Sequence, residues 1–280
     1  VFGKERELPR NERSSSPGEF FSGSTRPRVI TISGANKDIG KSSLAAYLAG
    51  RCRSCAGVKV TVHEERPPGE AVIEEVDPPS SSETDTARIL RAGACPVFWV
   101  RTTREDLPVD FGEALSRLRS PVVIVEGNSV LDYLEPDYAV FIMGSSFKDF
   151  KPSAYDAIRK AHTVIINGEK KLSGAGMLEL EREVKKLNPG AKLLVVSELG
   201  REKAWEIVLS RAAGRVGGEY MSNEVDERVL AAVKAKAVEG RIACAVALKL
   251  AEELKVPAME VGKAANALDI KIEKCSLGCF

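Results

Sequence analysis

From Arg28 onward the chain alternates short β-branched apolar runs with longer stretches whose apolar positions recur every three or four residues. The runs are "RVITIS", "VKVTVH", "EAVIEEV", "CPVFWVR", "PVVIVEG", "DYAVFIMG", "HTVIING" and "AKLLVVS". Each predicts a strand, and their near-continuous apolar character suits strands covered on both faces. Helices are predicted between them, over about 41–54, 83–93, 110–119, 151–161, 174–187 and 201–213, with Gly or Pro at many of the joins. Strand alternating with helix predicts a doubly wound, mostly parallel α/β sheet. In that architecture ligands gather at the carboxyl ends of the strands, so the loops that follow strands are the places to search.

Both ends of the chain break the pattern. Residues 1–27 mix charge, Ser, Gly and Pro with almost no apolar periodicity, which predicts a disordered or loosely attached tail before an α/β domain over 28–215. After "GRVGGEYMS" the β-runs nearly stop. Residues 222–269 predict three helices, the last two being "RIACAVALKLAEELKV" and "PAMEVGKAANALDI". Residues 218–280 are therefore expected to form a small all-helical domain. The Val256-Pro257 junction and the short extended "IKIEKC" give it a helix-turn-helix-like or small winged character.

Composition narrows the partners. At 280 residues, 44% hydrophobic and 29% charged, the chain suits one large globular domain with a small appendage. Lys+Arg 41 against Asp+Glu 40 leaves a formal charge of +1, so no global field draws it to nucleic acid or an anionic membrane. The stretch 218–280 holds nine Lys and Arg against ten Asp and Glu, net −1. That argues against DNA as its partner and favours docking to a protein or forming a homodimer. No apolar stretch approaches the roughly 18–20 residues that span a bilayer, and the N-terminal residues carry no apolar signal core. The expected location is the cytoplasm. Six cysteines are too sparse for a disulfide scaffold.

The chemistry concentrates in "SGANKDIGKSS", residues 33–43, which follows the first strand and opens the first helix. A phosphate-binding loop needs backbone N–H groups around a phosphate, a lysine ammonium and a hydroxyl for Mg²⁺, all at a helix N-terminus. Gly40, Lys41 and Ser42 supply that order, and Gly34, Asn36 and Ser43 complete the expected cradle. The usual spacing would put the first glycine at position 35, whereas it stands at Gly34. A glycine turn that merely contains a lysine is the alternative reading. Glu126, at the end of "PVVIVE", falls where a carboxylate would hold the Mg²⁺ shell or orient a water, or else caps the next turn. Asp85 opens a predicted helix and can approach Mg²⁺ or a substrate, or simply complement the helix dipole. Asp77 and His63 end neighbouring runs and are weaker candidates. Lys151 is either an anion ligand or a solvated lysine.

The G-x-x-x-x-x-G-K-[ST] spacing resembles the loop of dethiobiotin synthetases and cobyric-acid-type amidotransferases, within the P-loop proteins related to signal-recognition and MinD-type NTPases. That class often carries a second lysine at the position of Asn36, so a MinD-type dimer mechanism is not expected. "ETDTARILRAGACPVFWVRT" and "PVVIVEGNS" are similar to segments of the molybdopterin-guanine-dinucleotide biosynthesis adapter (MobB-like) family over roughly 28–150. The resemblance implies a Mg²⁺-dependent nucleotide-binding protein near molybdenum or tungsten cofactor maturation, GTP first and ATP second, with slow hydrolysis. Lys41, Glu126 and Asp85 would be its catalytic groups, and Ser42 and Glu126 its Mg²⁺ ligands. Beyond residue 150 the chain looks more like the second half of the dethiobiotin synthetase sheet, where Asn167 would read the purine; a Gly168-assisted turn is the competing reading. Two other functions stay open: an ATP-dependent ligase or kinase of dethiobiotin synthetase type, and a nucleotide-sensing regulator acting through residues 218–280. A cofactor-biosynthesis protein is the partner the first reading implies.

Cys52 and Cys55 form C-x-x-C, and Cys275 and Cys279 form C-x-x-x-C. Thiolates at such spacings can share Zn²⁺ or an Fe–S cluster. Cys244 is expected in a helix core.

Overall fold

The computed structural model describes residues 26–66, 69, 72–76, 84–148, 150–168, 174–218, 220–221, 226–254, 256 and 258–273. All eight predicted strands form: β1 (Arg28–Gly34), β2 (Cys55–His63), β3 (Ile73–Glu75), β4 (Val97–Thr103), β5 (Val122–Glu126), β6 (Tyr138–Met143), β7 (Thr163–Ile166) and β8 (Lys192–Val195). They join one sheet in the order β3-β4-β2-β5-β1-β6-β7-β8, parallel throughout except that β3 runs antiparallel to β4. The run "EAVIEEV" shrinks to a three-residue edge strand with Glu74 and Glu75 exposed. Charges on an edge suit a strand whose outer side has no partner.

The helices are α1 (Lys41–Ala49), α2 (Asp85–Arg91), α3 (Leu107–Ser116), α4 (Pro152–Lys160), α5 (Gly174–Leu187), α6 (Val196–Leu199) and α7 (Arg201–Val216). The period-two alternation of the strands sends side chains to two cores. Val29, Val123, Val125 and Phe141 meet Phe111, Ile158 and Val184 of α3, α4 and α5 on one face. Ile30, Ile32, Ile124 and Ile142 meet Leu44, Ile89 and Val208 of α1, α2 and α7 on the other. With both faces covered, the central strands are apolar throughout, which is why each stood out in the sequence.

The domain edges differ from the sequence expectation. Arg26 and Arg28 both pair with Asp137 at 3.0 Å, while residues 1–25 of the expected tail lie outside the described residues. At the other end, Val216, Tyr220 and Met221 pack in the second of these cores, and Met221 bridges to Cys52.

The C-terminal unit comprises α8 (Glu227–Lys236), β9 (Arg241–Ala243), α9 (Cys244–Leu254), α10 (Ala258–Ala267) and β10 (Lys271–Glu273). It is not all-helical, because β9 and β10 pair in parallel with Ile242 opposite Ile272. Residues 241–243, expected as the start of a helix, are instead drawn into the strand pair. Ile242 reaches the unit's own core of Val229, Val233, Leu250, Val261 and Ala264 from that strand, after a turn with positive φ at Glu239 and Gly240. The three expected helices are present. Among the described residues no helix is long and apolar enough to cross a membrane.

Candidate functional site

The site lies at the carboxyl ends of the central strands, where β1 runs between β5 and β6 and β2 lies beyond β5. β1 ends at Gly34, residues 35–40 form a loop, and α1 begins at Lys41. Gly40 caps the helix at φ 107°, a left-handed conformation that only glycine adopts without strain, and no side chain caps the first N–H groups of α1. The helix start is thus left open to an anion, with no acidic residue in its first turn.

The displaced glycine has a packing reason. A Cβ on Gly34 would stand 3.0 Å from the Ile142 carbonyl oxygen, from Cγ2 of Ile39 and from Cδ of Lys41. The loop folds its own residues into the space a side chain would need there. Asn128 fixes the same point from the loop after β5: its Oδ1 accepts from Gly34 N–H at 2.9 Å and its Nδ2 donates to Gly34 O at 3.0 Å. Sequence reasoning passed over Asn128, although it stands in the quoted "EGNS".

Five groups converge below the loop. The register of the sheet places Glu126 beside Ile32 on one side and Lys59 on the other. Ser42, in the first turn of α1, lies in the same cavity as the Asp85 and Glu126 carboxylates and favours the ionised form of both. Lys59 donates to Asp85 at the start of α2. Lys41 donates to the loop carbonyl of Asn36 at 2.6 Å. Lys59 is a second cavity residue missed in the sequence; inside the alternating "VKVTVH" it reads as an ordinary polar strand position.

The electrostatics follow from burial and proximity. Glu126 is 4% exposed and its Oε2 has no hydrogen-bond partner. Burial pushes its carboxyl above the ordinary range, and Asp85 adds to the push while Lys59, Ser42 and Lys41 oppose it. Burial also lowers the Lys41 ammonium, with Glu126 opposing and Lys59 reinforcing. For Asp85 burial works upward, but hydrogen bonds from Lys59 and Ser42 outweigh it and hold the carboxyl below its usual range.

Above these groups opens a cavity of about 1130 Å³, lined by Gly34, Asn36, Gly40, Lys41, Ser42 and Ser43 at one end. Lys59, Asp85, Glu126, Arg104, Ser129 and Lys151 line it as well. Trp99, whose Nε1 donates to Thr61 at 3.0 Å, also faces it.

Other expected residues fall elsewhere. Asn167 lies against the loop, donating from Nδ2 to the Ile39 carbonyl at 2.8 Å, and it does not line the cavity. Its position buttresses the loop. His63 ends β2 outside the cavity lining, with a buried Nε2 that has no partner. Asp77, Cys275 and Cys279 lie outside the described residues, and among the described residues no group of three His, Cys, Asp or Glu side chains could hold a metal. Cys52 and Cys55 are both buried in the core beneath α1 and α7. Cys244 is half-buried at the start of α9.

A mostly parallel sheet whose central strand leads through a glycine-flanked loop into a helix is the α/β fold of P-loop NTPases. No family model matches the chain, and no curated protein matches it. Among solved structures it is similar to the hydrogenase maturation factor HypB from Archaeoglobus fulgidus, at 16% identity and a TM-score of 0.44 over 68% of this chain and 91% of that one. A second similar structure is HypB from Helicobacter pylori in complex with nickel, at 16% identity and a TM-score of 0.40 over 71% and 91%. A third is pNOB8 ParA bound to nonspecific DNA, at 10% identity and a TM-score of 0.33 over 68% and 94%. With identities below 25% and TM-scores below 0.5, these likenesses carry nothing about what the chain does, which rests on its own residues.

Proposed function

We propose that this chain is a Mg²⁺-dependent purine-nucleotide-binding protein and slow NTPase, with GTP as the first nucleotide to test and metal-cofactor maturation as its setting. The observation that carries the reading is that Ser42, Asp85 and Glu126 line one cavity under an uncapped helix start. Glu126 Oε2, buried without a partner, is an acceptor waiting for a cation or an ordered water. The residues therefore fit Mg²⁺, with Ser42 and Glu126 as its holders and Asp85 beside them. When bound, Mg²⁺ would neutralise charge on the phosphate oxygens.

The chain's own residues do the rest. Open N–H groups at the start of α1 take up the phosphates, and the Lys41 ammonium exchanges its Asn36 carbonyl for a phosphate oxygen. Asp85, kept ionised by Lys59 and Ser42, holds Lys59 over the site. Asn128 and Asn167 keep the loop's backbone in place from opposite sides. The molybdenum or tungsten setting comes from the resemblance of "ETDTARILRAGACPVFWVRT" and "PVVIVEGNS" to the MobB-like adapters.

One observation favours a second reading, a ligase or kinase of dethiobiotin synthetase type. Lys59 adds a second cation beside Lys41, and Arg104 and Lys151 line the same cavity of about 1130 Å³, enough for a small anionic co-substrate beside a nucleotide. Phosphate release from GTP and from ATP, each with Mg²⁺ and a panel of small carboxylates, separates the readings. Slow GTP turnover indifferent to the acids supports the first. ATP turnover stimulated by one acid supports the second, and absence of phosphate release with either nucleotide would contradict both.

A further inference from the structure

One row across the sheet joins the phosphate site to an aromatic side chain that the nucleotide chemistry does not use. Trp99 on β4 stands beside Lys59 on β2, Lys59 beside Glu126 on β5, and Glu126 beside Ile32 on β1. Register partners in a parallel sheet share a face, and Ile32 packs with Leu44 of α1 and Ile89 of α2, so the whole row looks to that side. Neighbouring strands lie about 4.8 Å apart, which sets Trp99 about 10 Å from Glu126 with Lys59 midway.

Trp99 is held as a platform. Its Nε1 donates to Thr61 at 3.0 Å, and Arg101, two residues along β4, lays its guanidinium over one face of the indole with Cζ 4.4 Å from the ring centroid. Arg101 is in turn fixed by Glu74 at 2.5 Å, across the β3–β4 pair. The indole is half-buried, and the surface these contacts leave lines both the main cavity and a smaller one of about 230 Å³. An aromatic side chain already fixed at its edge and on one face gives a flat ligand a stacking surface at little cost in ordering.

The neighbouring charges favour an acid. Lys59 lines the cavity with Asp85 and with Arg88, one helical turn on from Asp85, and the three leave one positive charge in excess. Lys59 donates one proton to Asp85 and has two more for a second acceptor. Size narrows the ligand further. The smaller cavity, which Lys59, Asp85 and Trp99 share, is about 230 Å³, below the roughly 300 Å³ at which pockets take drug-sized ligands, so it suits one ring rather than a second nucleotide.

We infer that Trp99 and Lys59 form a second ligand site, for a planar aromatic or heteroaromatic monocarboxylate whose ring stacks on Trp99 and whose carboxylate lies over Lys59. The inference rests on the nucleotide reading above only for what the carboxylate is placed beside, a phosphate held by Lys41; the acid's own binding needs Trp99 and Lys59. A saturated acid of the same size meets the same charge but forfeits the stacking, so the site discriminates by flatness.

The test uses the full chain carrying Trp205→Phe, which leaves Trp99 as its one tryptophan. Benzoate, nicotinate and cyclohexanecarboxylate, the last with a puckered ring, are titrated against Trp99 fluorescence. The expected result is saturable quenching by the planar acids, at least one of which binds about three- to tenfold more tightly than cyclohexanecarboxylate. By calorimetry, Trp99→Leu is expected to abolish that preference, and Lys59→Met to weaken all three acids alike, in proteins whose melting shows them folded. No saturable binding of any acid, or equal affinity for flat and puckered rings, would overturn the site even if no Trp99 variant folds. A preference that survives Trp99→Leu would overturn it as well. Titration of the same protein with GTP and ATP, each with Mg²⁺, separates the two readings: nucleotide binding without acid binding sinks this site alone, and acid binding without nucleotide binding sinks the nucleotide reading alone.

Discussion

Lys59 on β2 closes an ion pair with Asp85 at the first position of α2, although the two are 26 residues apart in the chain. Two consequences follow from this one contact: Asp85 stays ionised, and a second ammonium is held within electrostatic reach of Lys41 and Glu126. Near Glu126 the cavity lining therefore holds two ammonium groups, Lys41 at the start of α1 and Lys59 on β2.

Lys59→Met tests what the second cation does. Because the pair is partly exposed, its loss is expected to cost less than about 1 kcal/mol of stability. Turnover of the Mg²⁺-nucleotide, in contrast, is expected to fall about a hundredfold, as when one fixed donor to a developing charge is removed. Thermal unfolding beside steady-state phosphate release checks the split. A variant that loses stability but keeps its turnover would make Lys59 purely structural.

Glu126 gives the pH dependence. Its folded-state carboxyl titrates above the ordinary range because of burial and the neighbouring Asp85, so the folded state holds that proton more tightly than the unfolded chain does. Its contribution to ligand-free stability is present at low pH and is lost as pH rises from the ordinary carboxylate value through the raised folded value. Glu126→Gln is expected to flatten that loss and to stabilise the ligand-free protein at neutral pH by roughly 1 kcal/mol, about 2–4 °C in Tm. Mg²⁺ affinity is expected to show the opposite slope, weakening as pH falls through the same window. Melting curves of the ligand-free protein across pH, beside Mg²⁺ titrations, measure both.

Gly34→Ala addresses the unusual glycine spacing. The added methyl meets a backbone carbonyl as well as two loop side chains at 3.0 Å, so the loop must shift. Overpacking of this kind costs about 1–3 kcal/mol, and nucleotide affinity is expected to fall with it. Ala35→Gly, which restores the more usual spacing without that crowding, is expected to leave affinity within about threefold, since Gly34 and not position 35 takes the close contact. Calorimetry on the two variants distinguishes crowding at 34 from a simple need for more glycine.

The sheet was legible in the sequence because strands buried on both faces leave uninterrupted β-branched runs, and "GKSS" in register with strand and helix marked the site. Lys59 and Asn128 were not legible as site residues, since their roles depend on which strand lies beside which. Only the order β2-β5-β1 brings Lys59 next to Glu126, and Asn128 next to Gly34. Asn167 was found, but as a support for the loop carbonyl of Ile39. In the C-terminal unit, β9 and β10 are three residues each and pair across a gap of 27 residues, too short and too distant for periodicity to reveal.

The most direct test of the central claim is a calorimetric titration of the intact protein with GTP and with ATP, each with and without Mg²⁺, beside Lys41→Ala. The account predicts Mg²⁺-dependent binding of a purine triphosphate that the variant loses while its fold, read by melting, stays intact. Failure of the wild-type protein to bind either nucleotide with Mg²⁺ would contradict it.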